Sequence, residues 1–157
     1  MTSASATPGV GSYILFTVAG TTYALPSGEV RHIEMIEDIT RVPNAPAFID
    51  GVVFSRGQVV PVVNLRARFG FERAAVDLRS RLIVVQSAAR LIGLVADAAR
   101  EFVRIPPDAI QPPNEALSGM SGRYVDGIAS MGDRLILVLS LARVLNFAEA
   151  QTLGLAD

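Results

Sequence analysis

Two stretches of this chain carry the same order of apolar and polar positions. Setting Gly51 on Gly127 aligns them without a gap, and in each copy an apolar run, a polar turn and a second apolar run follow the glycine. The turns are Ser55-Arg56-Gly57-Gln58 and Met131-Gly132-Asp133-Arg134. Two apolar runs joined by a short polar segment containing glycine are typical of a β-hairpin. The sequence therefore predicts the same hairpin twice.

Each predicted hairpin ends at a residue that is well suited to begin a helix. Asn64 and Ser140 occupy the same place in the two copies, and either side-chain oxygen can accept a backbone N–H of the first helical turn. The apolar residues that follow lie at spacings that share one helical face. They are Leu65 and Phe69 in the first copy, and Leu141, Val144 and Leu145 in the second. A short helix is predicted after each hairpin, where it would close the end of a curved sheet.

Other apolar runs predict further strands. They span residues 13–18, 23–25, 30–36, 81–86, 91–96 and 102–105. The run at 30–36 has a mixed pattern that also permits a single helical turn. The proline-rich segments 41–46 and 112–113 are predicted loops, because proline lacks a backbone donor and pushes the preceding residue to extended geometry.

Three strands, a proline loop, a hairpin and a helix thus occur twice in order. The simplest solution is an all-β fold with two five-stranded SH3-like antiparallel β-barrel subdomains, packed across a shared hydrophobic core and each closed by a short helix. We expect a single domain over residues 13–147, with interleaved subdomains at about 13–70 and 80–147. Residues 1–12 lack the basic and apolar regions of a signal peptide and are predicted to be a flexible leader, and residues 148–157 a tail.

Composition limits the kinds of partner. Half of the residues are hydrophobic and 18% are charged, which predicts an extensive core or apolar surface for partners. No apolar run approaches the roughly 20 residues that span a bilayer, so we expect a cytoplasmic protein. The net charge of −1 and the mixing of acids with arginines argue against nucleic-acid binding, which needs a basic face.

Missing residue types limit the chemistry. The chain has no cysteine, all fourteen of its basic residues are arginine, and His32 is its one histidine. Disulfides, thiolate and lysine chemistry, and multi-histidine metal sites are therefore excluded. The carboxylates of Asp97, Glu101 and Asp108 show no spacing that demands a shared site. We expect no catalytic residues, no metal and no cofactor.

A series of motifs runs along the chain in a specific order. They are YALP at 23–26, ITRVPNAP at 39–46, FIDGV at 48–52, RGQVVPVV at 56–63 and LR at 65–66, then GLV at 93–95, RIP at 104–106, YVDG at 124–127 and GDRLIL at 132–137. Over residues 13–147 the chain thereby resembles the CheW-like family, the coupling proteins of bacterial chemosensory arrays and the matching regulatory domain of the chemotaxis histidine kinase. The resemblance implies two β-barrel subdomains and no catalytic activity.

The resemblance also implies a receptor groove between the subdomains. Its determinants map onto Val30, Gly51, Arg56 and Gly57, with His32 where the family usually has an acid. Each has an ordinary structural explanation as well: core packing for the valine, a bend or a turn for the glycines, a solvated turn for the arginine, and a satisfied structural histidine. For Arg56 we favour function, because a guanidinium beside apolar strands is expected to bind a planar acceptor.

Kinase contacts are implied on the proline loop, at Ile39, Arg41, Val42 and Pro43. A pre-ordered loop loses little entropy on docking, although a loop stiffened only to enter the hairpin would have the same sequence. The segment 117–124 is a weaker candidate for a second kinase contact.

Three positions depart from the family pattern. Phe54-Ser55 replaces the usual Asn-Leu, His32 replaces an acid that can pair with the turn arginine, and Asn64 replaces an Asp that caps a helix equally well. If close, His32 and Arg56 would repel with the imidazole charged, or share a hydrogen bond with it neutral. These departures concern receptor choice more than fold.

The predicted function is a non-catalytic adaptor in bacterial signal transduction. Its expected partners are the cytoplasmic tip of methyl-accepting chemoreceptors and the CheW-like regulatory domain of a histidine kinase, with no nucleic acid and no direct membrane insertion. Alternatives left open are an auxiliary coupling protein of a non-flagellar, surface-motility pathway, a stand-alone small-barrel binding module, an enzyme, and a fragment of the kinase itself. A chain with its own Met1 is expected to be complete.

Overall fold

The computed structural model describes residues 11–113 and 121–146. Most of the predicted leader, half of segment 117–124 and the whole predicted tail lie outside those residues. The strands are β1 (Ser12–Val18), β2 (Thr21–Pro26), β3 (Val30–Met35), β4 (Ile49–Ser55), β5 (Gln58–Asn64), β6 (Arg81–Ser87), β7 (Arg90–Ala96), β8 (Ala98–Arg104), β9 (Ile110–Gln111), β10 (Val125–Met131) and β11 (Arg134–Leu139). The helices are α1 (Leu65–Arg68) and α2 (Leu141–Val144), and 3₁₀ turns lie at Ser27–Glu29, Pro107–Ala109 and Ser121–Tyr124.

The strands form two sheets. One has six strands in the order β8-β1-β2-β11-β10-β9, and the other has five in the order β3-β6-β7-β5-β4. Neighbouring strands are antiparallel except for β2 with β11 and β5 with β7, which are parallel. The prediction of an all-β fold with two subdomains is confirmed, and the two parallel pairs are an addition to the antiparallel arrangement that the sequence predicts.

The two sheets interleave along the chain, so that neither is confined to residues 13–70 or to residues 80–147. The β1–β2 hairpin pairs with strands of the second half, and the β6–β7 hairpin pairs with strands of the first. Each half therefore gives its first hairpin to the other sheet. The parallel pairs join the exchanged hairpins, with Val62 beside Gly93 in one sheet and Val138 beside Ala24 in the other. Hairpin signals are local, so they do not specify which sheet a hairpin enters.

The repeat extends to the outermost strand of each sheet. In the six-stranded sheet, β9 pairs with β10 and places Gln111 opposite Ile128. In the five-stranded sheet the corresponding partner is a single bridge between Thr40 and Val52. The two strand orders therefore correspond strand for strand. The six-stranded sheet has one strand more because β9 forms a two-residue ladder, whereas Thr40 in the other sheet forms only an isolated bridge.

Both faces of the central strands are buried. Along β1, Ile14, Phe16 and Val18 pack into a cluster shared by the two sheets, whereas Leu15 packs into a separate cluster of the six-stranded sheet. A third cluster, which includes Val84, is formed by side chains from the strands of the five-stranded sheet. Strands buried on both faces need apolar residues at successive positions, which explains the long apolar runs and the hydrophobic composition.

The two helices begin as predicted. The side chain of Asn64 accepts the Ala67 N–H at 3.1 Å, and Ser140 Oγ accepts the Arg143 N–H at 3.2 Å. Gly70 follows α1 with φ of 89°, the left-handed conformation that closes a helix. Leu65 and Leu141, the first residues of the two helices, are buried in the shared cluster. The caps therefore direct each helix onto the interface between the sheets.

Candidate partner-binding site

The turn between β4 and β5 has a conformation that suits a tight hairpin. Ser55 pairs with Gln58, and the two residues between them, Arg56 and Gly57, have φ of 50° and 83°. Two central residues with positive φ give a turn whose twist matches that of the flanking strands. A Cβ added at Gly57 would meet no atom within 4 Å, so glycine is favoured there by its backbone conformation alone.

The side chains around this turn form an exposed surface of mixed character. Phe54 and Val59 face each other across the hairpin and are 75% and 65% exposed. Arg56 is exposed between them in the chain, and across residues 11–113 and 121–146 its guanidinium makes no hydrogen bond or ion pair. We call Phe54, Arg56 and Val59 the hairpin tip surface. It offers a cation beside apolar side chains.

A polar cluster lies behind this surface. Ser55 Oγ donates to Glu34 Oε2 at 2.8 Å, while His32 Nε2 lies 2.5 Å from the same oxygen and 3.4 Å from Ser55 Oγ. Ser55 is 4% exposed. The contact between His32 and Arg56 that we considered is not found among the described residues, because the imidazole turns to Glu34 instead. Glu34 was missed from the sequence, although strand alternation places residues 32 and 34 on one face.

Gly51 has a clear structural role. Its φ is +141°, and a Cβ built on it would lie 2.0 Å from the Thr40 carbonyl oxygen. The backbone of Thr40 approaches so closely because it exchanges two hydrogen bonds with Val52, at 2.9 and 2.8 Å. Glycine at this position therefore fastens the start of the proline loop to β4. Val30 is half-buried against the shared cluster and pairs with Val85, which is consistent with a role in packing.

The proline loop presents most of the predicted kinase-contact residues to solvent. Arg41, Val42 and Pro43 are exposed, whereas Ile39 is half-buried against the cluster of the five-stranded sheet. Beside them a cleft of about 320 Å³ runs along the loop. An ion pair between Arg73 and Asp50 forms part of its wall. The loop is thus anchored at Ile39 and open beyond it.

A second electrostatic feature lies where the chain crosses from β7 to β8. Arg66 donates to the Asp97 carboxylate from Nε, at 3.0 and 3.1 Å, and from Nη2, at 2.8 Å, and the Ala19 N–H donates to it at 2.8 Å. Burial alone raises the pKa of Asp97, but the bonds from Arg66 and Ala19 outweigh it and hold that pKa below its usual range. This carboxylate ties α1 to the β1–β2 turn of the other sheet.

The other crossing between the sheets, from β2 to β3, carries an acid whose pKa is shifted in the opposite direction. Glu29 Oε1 is buried, and no described residue forms a hydrogen bond with it. Burial raises the pKa of Glu29, and the nearby charge of Asp126 raises it further. Asp126 in turn lies 3.6 Å from Arg143.

Within residues 11–113 and 121–146, the polar cluster around Ser55 does not have the geometry of a catalytic triad. In a serine–histidine–carboxylate triad the two imidazole nitrogens bind different partners, whereas here Nε2 of His32 contacts both Ser55 and Glu34. Asp97 and Glu101 bind separate arginines, Arg66 and Arg134. Among the described residues no group of three or more acids or histidines is placed to hold a metal. In that same part of the chain, no helix has the length and apolar character needed to cross a membrane.

The CheW-like domain family matches residues 12–149 of this chain, which therefore belongs to that family. The chain is 26% identical over 137 residues to chemotaxis protein CheW of Klebsiella aerogenes, covering 87% of this chain and 82% of the relative. It is 29% identical over 145 residues to protein FrzA of Myxococcus xanthus, covering 90% and 89%. The crystal structure of the scaffolding protein TtCheW from Thermoanaerobacter tengcongensis superposes with a TM-score of 0.80, at 29% identity and with coverage of 88% and 89%.

These similarities confirm the predicted class of protein. The chain is a non-catalytic chemotaxis adaptor of the scaffold type. The roles of the individual receptor-contact and kinase-contact residues stay predictions. The structure describes where these residues lie, and not what they bind.

Proposed function

We propose that this chain is a cytoplasmic adaptor that joins the tip of a methyl-accepting chemoreceptor to the CheW-like regulatory domain of a histidine kinase. The similarity to a chemotaxis protein and to a scaffolding protein supports this role. The hairpin tip surface is the main support for this role, because there the Arg56 guanidinium, which pairs with none of the described residues, lies beside exposed apolar side chains. The adaptor acts by surface complementarity and without a cofactor.

The receptor docks on the hairpin tip surface and on the adjoining residues of β3 and β4. An α-helical hairpin offers rows of apolar side chains with polar groups between them. Phe54 and Val59 match the apolar rows, and Arg56 matches a planar acceptor such as a carboxylate or an amide. Val30, His32, Gly51 and Gly57 contribute by shaping the strands and the turn from which these side chains project.

The kinase domain docks on the proline loop through Arg41, Val42 and Pro43, with the half-buried Ile39 as the anchor. Val42 is 37% exposed, so it has apolar area left to bury. The two backbone bonds between Thr40 and Val52 hold the loop in place before binding, and a loop that is already ordered loses less conformational entropy on docking.

The two proposed surfaces are coupled through one strand. β4 ends at the receptor turn, and at Val52 it holds the start of the proline loop. Both partners therefore contact the same rigid element at different places, which allows them to bind together. A coupling protein needs this property.

Isothermal titration against a purified receptor-tip hairpin and a purified kinase regulatory domain tests the proposal. We expect each partner to bind alone, and each to bind in the presence of the other. Absence of binding to both at high micromolar concentration would contradict the proposed function. Mutually exclusive binding would contradict the coupling role in particular.

A second candidate is an auxiliary coupling protein of a non-flagellar chemosensory pathway, such as one for surface motility. The similarity to protein FrzA of Myxococcus xanthus is compatible with it. Deletion of the gene distinguishes the two roles. Loss of swimming chemotaxis supports the first, and loss of surface migration with normal swimming supports the second.

A further inference from the structure

Among the described residues, no backbone ladder joins the two end strands of the five-stranded sheet to each other. β3 lies at one end of its strand order and β4 at the other. Even so, side chains of these two strands meet, because Glu34 and His32 on β3 both contact Ser55 on β4. The sheet is curved enough to bring its edges within side-chain reach. Three polar side chains therefore make the link between the edges at this point.

The link has a defined donor and acceptor arrangement. Glu34 Oε2 receives the Ser55 hydroxyl at 2.8 Å and lies 2.5 Å from His32 Nε2. A carboxylate oxygen can accept both bonds, provided that Nε2 carries a hydrogen, as it does in one neutral tautomer and in the imidazolium form. The three groups thus satisfy one another, and the Glu34 carboxylate is occupied within the protein instead of pairing with Arg56.

The position of Ser55 connects this cluster to the hairpin tip surface. Ser55 is buried, and its chain neighbours Phe54 and Arg56 are exposed. A strand directs alternate side chains to opposite faces, so fixing Ser55 inward fixes Phe54 outward. Ser55 also pairs with Gln58 to close the turn. The hydroxyl therefore anchors the base of the turn that presents Arg56.

We propose that Ser55, Glu34 and His32 are positioning residues that lock the edges of the five-stranded sheet together and thereby fix the direction in which the hairpin tip surface meets the receptor. This inference depends on the proposed receptor-binding function. It also assigns a joint role to two departures from the family pattern, Ser55 and His32, which contact each other at 3.4 Å.

The test compares Ser55→Ala with Ser55→Thr, which keeps the hydroxyl, and with Ser130→Ala, an exposed serine of the second hairpin. Affinities are measured for a receptor-tip hairpin from the same organism and for the kinase regulatory domain. We expect Ser55→Ala to weaken receptor binding about fivefold, as for loss of one buried hydrogen bond. Ser55→Thr should restore most of the affinity, and Ser130→Ala should change nothing.

Kinase affinity is the readout that separates positioning from general destabilisation. It should stay within about twofold in every variant, since the kinase loop is held by backbone bonds at Val52 that do not involve the cluster. If Ser55→Ala lowered both affinities equally, or if it left receptor affinity unchanged while the wild type bound, the positioning role would be wrong and the coupling function would stand.

Amide hydrogen exchange in the unbound protein makes the outcome independent of the receptor. The amides of Ser55 and Gln58, which close the turn, should exchange about tenfold faster in Ser55→Ala and at the wild-type rate in Ser55→Thr. Should the wild type fail to bind any receptor tip, the proposed function would fail, while exchange would still decide whether the cluster anchors the turn. Unchanged exchange would overturn the inference.

Discussion

The hairpins β4–β5 and β10–β11 are built on one frame and differ at their tips. Both have a register shift at the glycine near the start, at Gly51 and Gly127. Both end in a capped one-turn helix that packs into the shared cluster. At the tips, one turn carries Arg56 and Gly57, and the other carries Gly132 with Asp133. The common frame accounts for the fold, and the proposed receptor contact lies where the two hairpins differ.

The way in which each hairpin meets the edge strand of its sheet also differs. In the six-stranded sheet, Glu101 on β8 lies 3.5 Å from Arg134 at the tip of β11, and both side chains are substantially exposed. In the five-stranded sheet the link is the His32, Glu34 and Ser55 cluster, which is largely buried. Exposed ion pairs contribute little to rigidity. In the first hairpin, therefore, buried side chains anchor the tip, while its outer surface is exposed to solvent.

The largest expected effect comes from the two glycines at the register shifts. Gly51→Ala should lower the free energy of unfolding by about 3 kcal/mol or more, because the new Cβ would overlap the Thr40 carbonyl oxygen at a positive φ. At Gly127 a Cβ would lie 2.5 Å from Ile110 Cγ2 and 3.0 Å from the Gln111 carbonyl oxygen. Both belong to the two-residue edge strand β9, which is held by fewer bonds than β4, so Gly127→Ala should cost less, about 1–2 kcal/mol. Urea denaturation measures both. Equal losses would show that the Thr40 contact does not distinguish the copies.

The next effect concerns the β7–β8 crossing. Asp97→Asn should lower the free energy of unfolding by about 2 kcal/mol at pH 7, because it weakens charge-assisted bonds from Arg66. Since the folded pKa of Asp97 is depressed, the contribution is present above the unfolded value of about 3.9 and is lost as pH falls through the folded pKa. Thermal unfolding of wild type and Asp97→Asn from pH 7 to pH 2 checks this.

The two curves should converge below about pH 4. The exposed carboxylate Asp108 provides the control, and Asp108→Asn should unfold like the wild type throughout. A constant difference between wild type and Asp97→Asn at every pH would contradict the proposed charge dependence.

The two helix caps should differ by a smaller amount in their contributions to the free energy of unfolding. Asn64 caps α1 and also donates to Asp50 Oδ2 at 2.9 Å, whereas Ser140 caps α2 and is more exposed. We expect Asn64→Ala to cost about 2 kcal/mol and Ser140→Ala about 1 kcal/mol or less. Chemical denaturation of the two variants and of Asn64→Ser, which retains a capping oxygen, gives the measurement. A larger loss for Ser140→Ala would reverse the comparison.

The smallest effect should come from the β2–β3 crossing. Because the pKa of Glu29 is raised, its protonated form is favoured in the folded state, and this stabilisation is lost as pH rises through the folded pKa. Glu29→Gln should therefore raise the free energy of unfolding at pH 7 by about 0.5 kcal/mol, with no gain at pH 4. Melting temperatures at the two pH values test the sign, and a loss of stability at pH 7 would contradict it.

Local patterns predicted much of this fold because their signals lie within a few residues. The hairpin turns, the caps at Asn64 and Ser140 and the strand at Val30 could be recognised from short stretches. The exchange of hairpins could not, since it depends on parallel pairing such as Val62 with Gly93, and apolar runs buried on both faces do not specify a neighbour.

The receptor turn and the proline loop stay predictions of the candidate site, and one neighbouring side-chain cluster was missed from the sequence. The turn arginine and the proline loop were found by resemblance. The cluster of His32, Glu34 and Ser55 was not, because its members come from opposite edges of a sheet and no ladder register relates them. The sequence pointed instead to a contact of His32 with Arg56, and the nearer carboxylate of Glu34 replaces it.

Charge reversal at the two tips tests the central claim most directly. Arg56→Glu and Arg134→Glu make the same chemical change, one at each hairpin tip, and both are titrated with the receptor-tip hairpin and the kinase domain. We expect Arg56→Glu to weaken receptor binding at least about tenfold, with kinase binding and melting temperature unchanged, and Arg134→Glu to leave receptor binding intact. Equal effects of the two variants, or loss of both partners and of thermal stability with Arg56→Glu, would contradict the account.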